Sequence, residues 1–295
     1  MAQDVLEASP AARRVFEEAD SALGEKLSTL ILEGPEERLT LTANAQPAIL
    51  ATSQALLSAL RERVPNLRNP AFAAGHSLGE YSALVASGAL TLADAIRLLR
   101  ARGHAMQEAV PPGVGAMAAI MGVEPARLRQ ICEESAEGEV VSAANFNAPG
   151  QVVIAGHVGA VKRAVERVAA AGGKAIPLRV SAPFHCALMA PVQPRLAAVL
   201  GLLPVKSPRA PVVANVTAAP NADAAQIVPL LVEQVTAPVR WVECVRQLKA
   251  LGATDLVELG AGNVLAGLVK RIDRELRCVS VSDPATLAKA LGELA

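Results

Sequence analysis

Gly75-His76-Ser77-Leu78-Gly79 lies between Ala71-Phe72-Ala73-Ala74 and Glu80-Tyr81-Ser82-Ala83-Leu84-Val85-Ala86. The first flank is short and apolar, as a buried strand is, and the second reads as a helix. The pentapeptide fits G-x-S-x-G, a turn that lifts a serine hydroxyl above the end of a sheet and leaves it at a helix N-terminus. Glycines on both sides of the serine are expected because side chains in so tight a turn would clash. The pattern also arises by chance, and an ordinary Gly-rich strand-to-helix turn is the alternative. With its flanks, Ser77 is a candidate nucleophile on an α/β fold.

The rest of the composition agrees with that class. The 295 residues allow one large domain or two smaller ones. Apolar residues make up 52% of the chain but aromatic ones only 2%, so the core is built from Ala, Val, Leu and Ile, which suits helices covering a buried parallel sheet. A net charge of zero gives no global attraction to nucleic acid or to an anionic membrane. Cys132, Cys186, Cys244 and Cys278 show neither C-x-x-C nor metal-ligand spacing, which reads as reduced thiols in a cytoplasmic protein without a metal site. There is no charged n-region before an apolar stretch and no run of about 18 apolar residues, so neither a signal peptide nor a membrane span is expected.

Along the chain, residues 4–32 read as a helix, and Gln46–Leu60 as another that runs on to Val64. After the serine turn, Thr91–Glu108 reads as a long helix with Thr91 as N-cap and Asp94 as the acid three residues in. Pro111-Pro112-Gly113 then punctuates the chain. From there a strand (Gly115–Val123), a helix (Pro125–Ser135), two strands joined by Ala148-Pro149-Gly150, a helix (Val158–Ala171) and a strand (Lys174–Val180) follow in the order β-α-β-β-α-β, the ferredoxin-like pattern. Residues 112–182 therefore read as a small inserted domain, and 1–111 with 183–295 as a large α/β domain. The large domain resumes with helices near Pro191–Leu200, Ala224–Val235 and Val239–Leu251 and strands at Pro211–Val216 and Asp255–Leu259. Gly260-Ala261-Gly262 fails G-x-G-x-x-G at Leu265 and reads as a tight turn rather than a dinucleotide loop.

A serine nucleophile needs a base. His76 adjoins Ser77 and its side chain should diverge; His104 lies in a helix and His157 ends a small-domain strand. His185 sits where the chain leaves the small domain, a place that faces an interdomain cleft, although a histidine packed into a crossover loop would look the same. No acid between Ser77 and His185 reads as closing a strand of the main sheet, so a Ser–His dyad oriented by a neutral acceptor is favoured over a triad. Ala95, Leu99, Arg102 and Met106 share one helix face. An arginine on that apolar face either snorkels out or meets an anion, and a buried guanidinium would suit a bidentate carboxylate. Gly103 beside it would allow close approach.

These residues together resemble a known family. Ala74–Leu84 is similar to the nucleophile segment of malonyl-CoA:acyl carrier protein transacylases. Thr42–Leu50 with Gln46-Pro47-Ala48, Arg102-Gly103 with Met106-Gln107, Asn145–Gln151, His185–Met189 and Glu258–Gly267 match as well, so the resemblance spans nearly the whole chain. It implies an α/β-hydrolase-like core with a parallel sheet plus an inserted ferredoxin-like small domain. It implies Ser77 as acyl-accepting nucleophile, His185 as general base, the N–H of Leu78 as one oxyanion donor and the main-chain carbonyl of Gln234 as the acceptor that orients the histidine. It implies Arg102 as partner of the malonyl carboxylate, with Gln46, Asn145 and Phe184 in the substrate site. Related domains that take methylmalonate tend to carry serine before the histidine, so Phe184 fits the malonyl pattern. The implied reaction is ping-pong transfer from malonyl-CoA to the phosphopantetheine thiol of acyl carrier protein in fatty acid biosynthesis, without a cofactor. Carrier proteins of this kind are acidic, and Lys162, Arg163, Lys174 and Arg179 are candidates for a basic patch or are only solvated charges. A serine thioesterase or esterase, and an inactive carrier-binding paralogue, are the alternatives.

Members of the family usually begin with an apolar strand and a Phe-Pro-Gly-Gln-Gly-Ser-Gln loop, whereas this chain starts in the following helix. That loop supplies a second oxyanion N–H from its first glutamine, a donor worth about 10²–10³ in rate. The strand would bury four or so apolar side chains at about 1.5–3 kcal/mol each, close to a domain's whole stability of roughly 5–15 kcal/mol. The departure leads to the expectation of an N-terminal truncation, with poor solubility and weak activity for residues 1–295.

Overall fold

The expected N-terminal helix is three helices in the computed structural model, which describes residues 3–178 and 180–294. They are α1 (Gln3–Ala8), α2 (Pro10–Leu23) and α3 (Leu27–Glu33). Pro10 lacks an N–H and fits only the first turn of a helix, and extended Ser9 caps α2 by accepting from the Ala12 N–H at 3.1 Å. Gly24, left-handed at φ 67°, ends it. After α4 (Glu36–Leu39), α5 (Thr42–Arg63) runs through the middle of the helical core, where Leu50, Leu56 and Leu60 are buried. Next come β1 (Ala73–Ala74), α6 (Leu78–Ala86) and α7 (Leu92–Ala109). The start of α7 is as read from sequence: the Thr91 hydroxyl accepts from the Asp94 N–H at 3.1 Å.

Residues 115–177 form a separate layer. β2 (Gly115–Met121), α8 (Pro125–Ala136), β3 (Val141–Ala148), β4 (Gln151–His157), α9 (Val158–Ala170) and β5 (Lys174–Pro177) follow in sequence, and the strands make one antiparallel sheet in the order β3-β4-β2-β5. Leu128 and Ile131 of α8 and Val161, Ala164 and Val168 of α9 pack on Ile120, Val152 and Ile154. Arg163 does not join a free basic patch: it bonds the Ser135 and Ala136 carbonyls at the end of α8 and pairs with Glu139. Lys162 and Lys174 are exposed, and Arg179 lies outside the described residues.

The chain then forms α10 (Val192–Leu200), β6 (Val212–Val213), β7 (Pro220–Asn221), α11 (Ala224–Gln234), α12 (Trp241–Ala250), β8 (Asp255–Leu259), α13 (Val264–Ile272), β9 (Arg277–Val281) and α14 (Pro284–Leu294). β1 pairs in parallel with β6, and β8 in parallel with β9, as two separate ladders. β1 and β6 are shorter than the apolar runs around them, and β9 and α14 extend beyond the elements read from sequence. Glu258 accepts from the Leu265 and Ala266 N–H groups at 2.9 Å each, so its own carboxylate occupies the first donors of α13 after the Gly260–Gly262 turn. β3 is stitched to the segment before α12: the Val239 N–H donates to Ala144 and the Phe146 N–H to Val239, at 2.9 and 2.8 Å. Among the described residues no helix is long and apolar enough to cross a membrane, no His/Cys/Asp/Glu group could hold a metal, and the four cysteines are unpaired.

α5 and α7 cross at Gly103, where a Cβ would sit 2.5 Å from the Ala43 Cα and 2.6 Å from the Thr42 carbonyl oxygen. Those are backbone atoms and can give way only if the helices part. Gly103→Ala is therefore expected to cost about 1–3 kcal/mol, read from the midpoint of urea unfolding. An unchanged midpoint would show that the two helices separate without cost.

Candidate active site

Ser77 is the N-cap of α6 and holds φ 53°, ψ −111°, a backbone conformation that an L-residue keeps only when its surroundings enforce it. Gly75 is one reason: a Cβ there would lie 1.9 Å from the Gly79 carbonyl oxygen. Gly79 itself is not sterically required, since a Cβ on it meets nothing within 4 Å. This corrects the expectation of clashes on both sides; the elbow is tight against one glycine and open at the other. Asn215, fully buried just after β6, spans the turn. Its Oδ1 accepts from the Ser77 N–H at 2.7 Å and its Nδ2 donates to the Gly75 carbonyl at 2.8 Å.

His185 approaches from the segment after β5. Thr42 and Ser181 share a 2.6 Å hydroxyl contact that ties this segment to the start of α5. His185 is also left-handed (φ 58°) and buried. Its Nε2 is 2.7 Å from the Ser77 hydroxyl and its Nδ1 is 2.9 Å from the Gln234 main-chain carbonyl. A carbonyl can only accept, so Nδ1 carries the proton and Nε2 is left free to take one from Ser77. Gln234 ends α11, where a helix has carbonyls without intrahelical partners and a partial negative charge, so it can take the place of a carboxylate behind the imidazole.

Arg102 is 2% exposed despite its charge. Its guanidinium donates to Gln46 Oε1 at 2.6 Å and to Gln234 Oε1 at 3.1 Å, and stands 5.3 Å over the Tyr81 ring. Nothing accepts from its buried Nε–H. Burial lowers its pKa, an effect that Tyr81 and Glu80 oppose. The side chain therefore stays inside rather than snorkelling, with its Nε–H unused. The Gln234 amide also donates to the Ser77 carbonyl at 3.1 Å and to Glu80 Oε2 at 2.8 Å, so one glutamine touches the serine, the histidine and the arginine.

Of the other sequence candidates, Leu78 opens α6, and no backbone carbonyl among the described residues accepts its N–H. Phe184 is partly buried beside the histidine. Asn145 lies at the seam where β3 meets Val239, and none of the hydrogen bonds of Ser77, His185 or Arg102 involves it. His76 turns away from Ser77 to Asn147, at 2.8 Å, and stands against the Trp241 ring. His104 is exposed, and His157 accepts from the Val140 N–H.

A profile of the acyl transferase domain matches residues 1–291. The chain belongs to this family. A malonyl CoA-acyl carrier protein transacylase from Bacillus subtilis is 48% identical over 296 residues, spanning 100% of this chain and 92% of that protein. Among solved structures, an acyl-carrier-protein-S-malonyltransferase from Bartonella henselae superposes with a TM-score of 0.96 at 45% identity, covering 100% of this chain and 94% of that one. A type II PKS acyl-carrier protein in complex with its malonyl-transacylase gives a TM-score of 0.96 at 45% identity, over 99% and 94% of the two chains. The mixed α/β fold is thus that of malonyl-transacylase structures, and the relatives place the chain among acyltransferases.

In this acyl transferase, Asn215, Glu80 and the side chain of Gln234 join the network around Ser77 and Arg102 without having been sequence candidates. Glu80 lies in the first turn of α6, three residues after Ser77. It is 3% exposed, accepts from the Asn215 N–H at 2.9 Å, and burial raises its pKa to about 7. His185 goes the other way: burial, then the charge of Arg102, push it down to about 3. The unfolded imidazole takes a proton below about pH 6.5 and the folded one does not. His185 therefore contributes stability that is complete above that pH and lost as pH falls toward 3. Acylation of Ser77 by a fluorophosphonate should accordingly stay flat as pH is lowered through about 6.5 to about 5. A half-drop centred near the ordinary imidazole pKa would show that His185 titrates normally.

Proposed function

We propose that this acyl transferase moves the malonyl group from malonyl-CoA to the phosphopantetheine thiol of acyl carrier protein through a malonyl ester of Ser77, supplying fatty acid biosynthesis. The observation that carries the choice of acyl group is buried Arg102, with an unused Nε–H, joined to the dyad through Gln234. The names of the relatives support the same reaction. A cytoplasmic setting goes with this reading. So does the finer architecture: residues 1–111 and 183–295 as an α/β-hydrolase-like core, and 112–182 as a ferredoxin-like domain, supported by the β3-β4-β2-β5 order.

In the first half-reaction Ser77 Oγ attacks the thioester carbonyl while His185 Nε2 takes the hydroxyl proton. The oxyanion develops at the N-terminus of α6, where the Leu78 N–H is unused and the helix dipole is positive. The Gln234 carbonyl, at the opposite kind of helix end, stabilises the imidazolium. As the tetrahedral adduct collapses, His185 returns the proton to the departing coenzyme A sulfur. In the second half-reaction the carrier thiol gives its proton to His185, attacks the ester carbonyl and releases Ser77 Oγ, which recovers the proton. Throughout, the malonyl carboxylate pairs with Arg102, held by Gln46 and Gln234, while Phe184 crowds the carbon between the two carbonyls. Asn145 contributes at the domain seam. These steps need only side chains, main-chain donors and the two thiols, so no cofactor enters.

Two outcomes test the assignment. Malonyl-CoA mixed with the enzyme should give an intact-mass increase of one malonyl group, absent in Ser77→Ala and discharged by added holo-carrier. Free malonate released without carrier would instead mark a hydrolase, and no adduct with carrier binding retained an inactive binder. Arg102→Ala should lower kcat/KM for malonyl-CoA by about 2–5 kcal/mol, roughly 30- to 5,000-fold, and lower acetyl transfer far less. Equal losses for both would remove Arg102 from carboxylate recognition.

A further inference from the structure

Glu80 and Arg102 are buried charges of opposite sign that do not touch. The partners of Arg102 are two amide oxygens, Gln46 Oε1 and Gln234 Oε1. Those of Glu80 are the Asn215 N–H and Gln234 Nε2–H. The Gln234 amide lies between them, its oxygen toward the cation and its nitrogen toward the anion, the orientation both charges favour. With the acyl site empty and Glu80 ionised, the two charges sum to zero.

We propose that Glu80 is the counter-charge of Arg102 in the empty site and takes up a proton when the malonyl carboxylate occupies Arg102, so that acyl selection is linked to protons. The inference rests on Arg102 as the malonyl carboxylate's partner. A second carboxylate on the one guanidinium leaves a buried net negative charge, and like charges in a dry site favour protonation of one of them. The malonyl carboxylate has two acceptor oxygens for the forked guanidinium and remains ionised. Glu80 has only neutral donors and is the group that gives way. It is also poised to do so, because burial already holds it at about 7. The titratable groups that face it are Arg102 from α7, Tyr81 from its own helix and Cys244 from α12. Tyr81 and Cys244 are both pushed to about 12 by burial and stay neutral. His185, reached through Gln234, lies near 3 and is neutral too. Of these groups only Glu80 changes its charge around neutrality. An acyl group without a carboxylate leaves Arg102 vacant and Glu80 ionised, and discharge of malonyl to the carrier returns the proton to solvent. Glu80 touches neither substrate nor dyad; it is a positioning residue that acts through Gln234 and Arg102.

The test is calorimetry on the full chain carrying Ser77→Ala, which binds thioesters without acylation. Malonyl-CoA and acetyl-CoA are each titrated at about pH 8 in phosphate and in Tris, whose ionisation enthalpies differ, so that the proton count is read directly. Both ligands carry the same coenzyme A, and its phosphates cancel. Malonyl-CoA should take up roughly half to one proton more than acetyl-CoA, and the difference should shrink toward zero near pH 6, where Glu80 is already protonated. Adding Glu80→Gln should abolish the difference at pH 8. Equal proton counts in the Ser77→Ala protein would overturn the proposal, as would a difference that survives Glu80→Gln. Should Glu80→Gln not fold, the infrared carbonyl stretch of protonated carboxyl in glutamate-labelled Ser77→Ala protein decides: its appearance on adding malonyl-CoA supports the proposal and its absence sinks it. Arg102→Ala in the same background separates the two readings. Malonyl-CoA binding unaffected by that change fails the Arg102 assignment. Weakened binding alongside equal proton counts in the parent fails only the proton linkage.

Discussion

Gln234 is fully buried at the last turn of α11 and bonds in four directions: its main-chain carbonyl to His185, its side-chain oxygen to Arg102, and its side-chain nitrogen to the Ser77 carbonyl and to Glu80. The groups proposed to react and those proposed to recognise are therefore not positioned independently. A helix end supplies the carbonyl because its last peptide groups have no intrahelical donors. An amide side chain can supply the rest because it carries both a donor pair and an acceptor, uncharged, and so enters the core at lower cost than an ion. An aspartate behind the histidine would add a second negative charge beside Glu80. A neutral carbonyl avoids that, and the partial charge of the α11 terminus supplies part of the same stabilisation.

Strain is the counterpart of this precision. Ser77 and His185 both hold positive φ, each at a cost of about 1–3 kcal/mol. Asn215 offsets part of it on the serine side by closing the elbow from Gly75 to Ser77. On the histidine side the segment is held by the Thr42–Ser181 contact and by Pro183, which packs so closely on Gly115 that a Cβ there would lie 2.4 Å from the proline ring. The small layer thus anchors His185, and α6 with the segment after β6 anchors Ser77. The 2.7 Å contact between them depends on how the two parts meet.

What the sequence made legible follows from the range of the interactions. The serine elbow, the Thr91 cap, the apolar stripe that carries Arg102 and the strand–helix alternation of residues 112–182 are local patterns, with periods and cap residues that report backbone shape directly. Asn215 was not legible, because its partners are 138 and 140 residues away and nothing in Ala214-Asn215-Val216 marks a residue that bridges a turn elsewhere. Glu80 is hidden because a triad acid is expected at a strand end, whereas this acid sits one helical turn from Ser77 and its charged neighbour is Arg102 rather than His185. The single helix expected at the N-terminus is three because apolar periodicity persists across Ser9-Pro10 and Gly24, and only their backbone chemistry breaks it. β1 and β6 are two residues each because pairing, not apolarity, defines a strand, and their apolar flanks have no partner strand alongside.

Selectivity in such a site comes more from what is penalised than from what is attracted. Arg102 has already lost its water, and two amide oxygens plus the Tyr81 face do not replace it fully, since Nε–H stays unpaired. A buried donor without an acceptor costs about 1–3 kcal/mol, more when it is charged. On the proposed role of Arg102, a carboxylate-bearing acyl group removes that deficit and an acetyl group leaves it in place, so part of the difference between them is present before either binds. The reciprocal argument applies to the carboxylate: it must shed its own water to enter, and only a cation that is already dry and fixed by Gln46 and Gln234 returns enough to offset that loss. An exposed arginine would attract malonyl-CoA from further away but would discriminate less, because water would compete for the guanidinium and shield the pair. Burial of Arg102 is thus the condition for the proposed recognition, and Glu80, Gln234 and Tyr81 are the surroundings that make a buried guanidinium tolerable while the site is empty.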